Sequence, residues 1–135
     1  MTPLQAQGHR ARAALQALGV GWLGGMKLLG GRTERRLSVN PENGCAELAV
    51  DWFGSEYEPP GPEDLPDLSD PATLGAIEIG VLEPRGVYLM PAVVGNIGIF
   101  WSYVSLELSL NRHGTDTRAK AVLLALEALV KAGEE

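Results

Sequence analysis

The carboxy-terminal third of the chain constrains the fold most, because two different apolar periods stand there back to back. In "IFWSYVSLELSL" (99–110), Val104, Leu106, Leu108 and Leu110 alternate with Ser105, Glu107 and Ser109. That period of two puts one face of a strand into a core and leaves the other in water. In "GTDTRAKAVLLALEALVKAG" (114–133), Ala119, Val122, Leu123, Leu126, Leu129 and Val130 recur at helical spacing and form one apolar stripe. Lys131 suits the negative end of this helix and Gly133 is placed to end it. A one-faced strand and a one-striped helix hide both apolar surfaces by packing together, which points to layered α and β structure.

The amino-terminal half opens with a helix over residues 3–18. Thr2 is a capping residue, Pro3 fits the first turn, Gln5 can reach back to the cap, and Gly19 supplies the stop. Gly19, Gly21 and Gly24 then stand at the G-x-G-x-x-G spacing of a dinucleotide-binding turn. That turn works only when a strand feeds it and a helix begins on it, offering free N–H groups to a pyrophosphate. Here the helix comes first, and no acid follows inside a second strand of a βαβ unit at the ~20-residue distance a ribose contact needs. The glycines therefore read as a turn, and no cofactor is expected.

Beyond them, "MKLLGGRTERRLSV" (26–39) reads as two strands joined at Gly30 and Gly31. "NPENG" (40–44) is a second turn, and in "CAELAVDWF" Ala46, Leu48, Val50 and Trp52 share a face. Three antiparallel strands result. Residues 54–70, with four prolines and six acids, predict an exposed, mobile loop. Asp70–Pro71 then looks like a cap and first turn, with Leu74, Ile77 and Val81 on one helical face. A strand over "AIEIGVL", turning at "EPRG" into "VYLMPAVV", is the competing reading. The expectation is one α+β domain over residues 1–135: an antiparallel sheet of about five strands with two or three helices on one face, in the order α-β-β-β-α-β-β-α.

Size and composition fit such a domain. A chain of 135 residues with 45% apolar content buries enough surface to fold without staples. Its one cysteine, Cys45, cannot form an internal disulfide, and Cys45, His9 and His113 are too few for a zinc set. No metal is expected. No apolar run reaches the ~20 residues of a membrane span, so a soluble, cytoplasmic protein with no membrane contact is anticipated.

The net charge of −6 hides a strong segregation. Residues 1–40 carry six bases and one acid, residues 41–84 carry eleven acids and no base, and residues 85–135 carry five of each. The two charged regions face either each other or water.

Signs of catalysis are few. His113, at the end of the strong strand, has the position of a general base, but a single histidine in a strand-to-helix turn is ordinary. Cys45 at a strand start reads as a small apolar filler, because a nucleophilic thiol needs a neighbouring base. Acid pairs such as Glu63 with Asp64, or Asp67 with Asp70, need convergent geometry to hold a cation. No nucleophile elbow, H-E-x-x-H, P-loop or C-x-x-C pattern occurs, and no enzyme is expected.

Binding remains. Arg32, Arg35 and Arg36 could neutralise phosphates, although the acidic total and the pI of about 4.9 oppose nucleic acid as partner. The favoured expectation is a protein partner, drawn to Glu58, Glu63, Asp64 and Asp67, with Trp52, Phe53 and Tyr57 as apolar anchors. The free sheet edge and the apolar "VYLMPAVVGNIGIFW" segment offer a route to a homodimer.

Three stretches in order, "GWLGGMKLL" (21–29), "DLSDPATLG" (67–75) and "LLALEAL" (123–129), resemble short uncharacterised proteins of tailed phages and prophages. In those, a tryptophan-glycine-methionine element precedes short strands, a "DPATLG" helix follows an acidic loop, and an alanine-leucine helix closes the chain. After Gly75 this chain departs from the pattern with "AIEIGVLEP". The resemblance implies a mobile-element accessory protein and names no catalytic residue.

Overall fold

The first helix, α1 (Pro3–Ala17), begins as its opening residues require. Thr2 Oγ1 accepts from the Gln5 N–H at 3.1 Å, and the Gln5 side chain accepts from the Thr2 N–H at 2.8 Å. The helix ends on Leu18, and Gly19 takes the left-handed φ of +75° that lets the chain leave. The structure, a computed structural model, describes residues 1–31, 33–51, 53, 55–96, 98–105 and 110–134.

The fold is α+β, with all strands antiparallel. Its strands fall into two three-stranded sheets rather than one. The first holds β1 (Leu37–Val39), β2 (Ala46–Ala49) and β3 (Tyr57–Glu58) in that order. The second holds β4 (Tyr88–Val94), β5 (Gly98–Ser105) and β6 (Leu110–Thr115), again in sequence order. Between the sheets come α2 (Pro71–Ile77) and its continuation, and α3 (Arg118–Glu134) closes the chain. One apolar cluster joins the helices to both sheets. It holds Leu15 of α1, Met26, Leu28 and Leu37 of the basic hairpin, Ile77 and Val81, Tyr103 of β5, and Val122, Leu123 and Leu126 of α3.

The expected strand over residues 26–29 is reduced to single pairs. Lys27 pairs with Arg36, and the Leu28 N–H donates to the Arg35 carbonyl at 2.8 Å. Gly30 and Gly31 sit at φ of +85° and +90°, inside a turn wider than a diglycine hairpin. Leu28 also pairs with Pro66, so this strand lies between Arg36 and the end of the acidic segment, and the third strand of the first sheet is β3. Along β2 the expected face is graded. Ala46 is buried, Leu48 half-buried and Val50 exposed, while Trp52 lies outside the described residues.

Helix wins over strand at residues 71–85. Asp70 accepts from the Thr73 N–H, Pro71 follows, and α2 runs into a π-helical turn (Glu78–Leu82) and a 3-10 turn (Glu83–Arg85) that stops at Gly86, φ +75°. Leu74, Ile77 and Val81 are buried, as the helical period required. Glu78 forms an ion pair with Arg118, joining this segment to α3.

The phase of β5 is the reverse of the expected one. Tyr103 and Ser105 are buried, while Val104 is half-buried on the other face. Tyr103 carries more apolar area than Val104, and the face it shares with Trp101 is the one that meets the core. The leucines beyond do not extend β5, because it ends at Ser105, which pairs with Leu110 at the start of β6. Residues 106–109, on which that expectation leaned, lie outside the described residues. His113 falls inside β6 rather than in a turn, and Gly133 falls inside α3 rather than after it.

The acidic segment is tied down from Leu65 onward. The Leu29 N–H donates to the Leu65 carbonyl, the Asp67 N–H donates to the Lys27 carbonyl, and Leu68 is buried. Gly8 of α1 lets this segment approach, since a Cβ there would sit 3.0 Å from Leu65 Cβ and 3.1 Å from the Pro66 carbonyl oxygen. Gly8→Val should therefore lower unfolding stability by about 1–3 kcal/mol through overpacking. Urea denaturation checks this, and an unchanged midpoint would mean that residues 65–66 do not rest on α1.

Candidate functional site

The segregated charges face each other across one seam. Arg36 reaches Asp70 in bidentate fashion, with Nη1 2.8 Å from Oδ2 and Nη2 3.0 Å from Oδ1, and its Nε donates to Glu34 at 2.8 Å. Lys27 Nζ lies 3.3 Å from Oδ2 of Asp67, a carboxylate only 5% exposed, whose other oxygen accepts from the Ser69 N–H and hydroxyl. Arg35 donates to Asp64 at 3.1 Å and to the Leu29 carbonyl at 3.1 Å. The buried Thr73 hydroxyl accepts from the Lys27 N–H and donates to Asp70, locking hairpin and helix together.

This seam decides how each anticipated binding residue can be used. Asp64 and Asp67 serve internal cations, and Arg35 and Arg36 serve internal anions, so their charges are largely matched within the chain. Glu58 and Glu63 are exposed, Tyr57 is half-buried on β3, and Phe53 is 92% exposed. Arg32 and Trp52 lie outside the described residues.

Two other surfaces stand out. The first is the β4–β5 hairpin. From Gly86 to Ser105 the sequence has no charged residue, and the register puts Tyr88, Met90, Ala92, Phe100, Ser102 and Val104 on one face, away from the core. Tyr88 and Met90 are about half exposed there, and Val93 and Ile99, near the tip on the opposite face, are also exposed. The edge strand carries Pro91, which removes one donor from the row that another strand would pair with.

The second is a groove of about 510 Å³ lined by Arg12, Trp22, Cys45, Ala46, Glu47, Pro59 and Pro60 among others. Arg12 projects from α1 and lies over the Trp22 ring, 4.3 Å from its centroid. Burial pushes its pKa down from the ordinary arginine value. Sequence reasoning passed over both residues, because the groove assembles positions 12, 22, 45–47 and 59–60. The one available signal was Trp22 itself, a large ring amid glycines that offer it no side-chain cover.

Among the described residues no group of three or more His, Cys, Asp or Glu side chains is gathered to hold a metal, and no helix is long and apolar enough to cross a membrane. No protein family, curated protein or solved structure matches the chain.

The seam makes stability pH-dependent. Arg36, and then Thr73, hold the Asp70 carboxyl down at about 2. A carboxylate whose folded pKa is depressed contributes stability above its unfolded pKa and loses it as pH falls toward the folded one, here from about 4 to about 2. Asp70→Asn should cost about 1–2 kcal/mol at pH 7, at the low end because Arg36 is a third exposed, with the deficit closing near pH 2. Urea unfolding at pH 7, 4 and 2 measures it, and a deficit independent of pH would assign the loss to the helix cap alone.

Proposed function

We propose that the chain is a small non-catalytic protein-binding module, of the accessory kind that mobile elements carry, and that it docks through the uncharged face of the β4–β5 hairpin. The supporting observation is the composition of that face. Antiparallel sheets with one side in water usually alternate apolar and polar residues, yet here both sides are apolar and one is open. The partner this face fits is a second copy of the chain. A twofold contact sets a patch against itself, which like charges oppose and an uncharged patch permits. The rest of a chain of net charge −6 is poorly suited to meeting its own copy. Pro91 interrupts the β4 edge, and the open apolar face favours a face-to-face contact, two sheets about 10 Å apart.

The exposed acids Glu58 and Glu63 are free to steer a further, basic protein partner toward the module. Arginine-mediated nucleic-acid binding is the weaker reading, since Arg35 and Arg36 each have a carboxylate partner.

Sedimentation velocity should find the wild-type chain dimeric and the double variant Tyr88→Lys, Met90→Lys monomeric, with an unchanged circular dichroism spectrum. A wild-type protein that stays monomeric at the highest attainable concentration overturns the self-association.

A further inference from the structure

We propose that the groove beneath Trp22 is a binding site for a small organic carboxylate with a flat apolar body. The cation comes first. Lys27, Arg10, Arg35, Arg36, Arg118 and Lys120 each have a carboxylate partner. The Arg12 guanidinium has none among the described residues, and its Nη1 is covered without any hydrogen-bond acceptor. A guanidinium presents five N–H donors in a rigid fork, and covering one of its nitrogens with no acceptor is costly unless something supplies an oxygen. The Trp22 ring holds that fork in place at the groove wall. Preorganised in this way, it suits a planar two-oxygen acceptor.

The remaining walls select the rest of the ligand. Trp22, Pro59, Pro60 and Ala46 give the groove apolar walls beside the polar ones of Arg12 and Glu47, and its volume lies in the range that holds a small molecule. Glu47 lines it too, its carboxylate fixed by the side-chain amide of Asn40 at 2.9 Å and that of Asn43 at 3.5 Å. A fixed negative charge in the same groove penalises a dianion such as phosphate more than a monoanion. The site therefore discriminates for a single carboxylate and against phosphate groups.

Cys45, the only cysteine, is exposed and lines the same groove, so it can report occupancy. Alkylation of Cys45 by neutral iodoacetamide is followed by mass spectrometry while naphthalene-2-carboxylate is titrated in. The expected result is saturable protection, with Arg12→Gln raising the half-protecting concentration about tenfold, the loss of one charge-assisted bidentate contact. Neutral naphthalene-2-carboxamide and inorganic phosphate should each protect far more weakly. Glu47→Gln should strengthen carboxylate protection, and it decides the matter if Arg12→Gln does not fold. Absence of protection at millimolar carboxylate, equal protection by the amide or by phosphate, or a folded Arg12→Gln that binds like wild type each overturns the proposal.

Discussion

One carboxylate holds the two halves of this molecule in register. Asp70 accepts both Nη groups of Arg36, which lies 34 residues earlier, and accepts the backbone N–H and hydroxyl of Thr73 on the first turn of α2. It is at once the helix cap and the anchor of the basic hairpin. Through Thr73 the contact continues to the Lys27 backbone, so the strand that runs beneath the acidic segment is placed by the same group. Without this junction the closure of a long loop would lean on the Lys27–Asp67 and Arg35–Asp64 pairs and on apolar contacts, which are strong but non-directional.

The seam also explains why a strongly polarised sequence carries less external charge contrast than its composition suggests. Bases from the first forty residues and acids from the next segment are matched pair by pair where the chain folds back. Exposed pairs of this kind contribute little, but Asp67 is nearly buried, and a buried carboxylate without Lys27 and Ser69 would be strongly destabilising. The pairs set which strand lies against which loop, and the apolar cluster supplies most of the stability.

The helices were legible because each carries its own signals. Thr2, Pro3 and Gln5 announce α1, Asp70 and Pro71 announce α2, and the Leu and Val stripe of α3 needs no partner to be read. Strand phase was harder. Alternation in β5 fits two faces, and the choice depends on where α3 lies, which no local pattern records. The division into two sheets, like the pairing of Leu28 with Pro66, is a long-range choice made by packing. For the binding residues, the sequence supplied charges without their partners. Asp64, Asp67, Arg35 and Arg36 looked available until folding set them against one another, while Arg12, one more base on α1 in the sequence, has no carboxylate partner among the described residues and a covered Nη1 without an acceptor.

The two open surfaces are built from separate parts of the chain, and that separation has a physical consequence. The hairpin face draws on residues 88–104, carried by β4 and β5, while the groove draws on α1 and the loop after it, β2 and the turn before it, and the residues after β3. They share no side chain, so association can be abolished without touching the groove, and the groove filled without covering the hairpin. Any coupling between them would have to run through the common cluster, where Leu15 of α1 and Tyr103 of β5 both reside. A well-packed cluster resists small displacements. The two surfaces are therefore expected to act additively unless a ligand moves α1 itself.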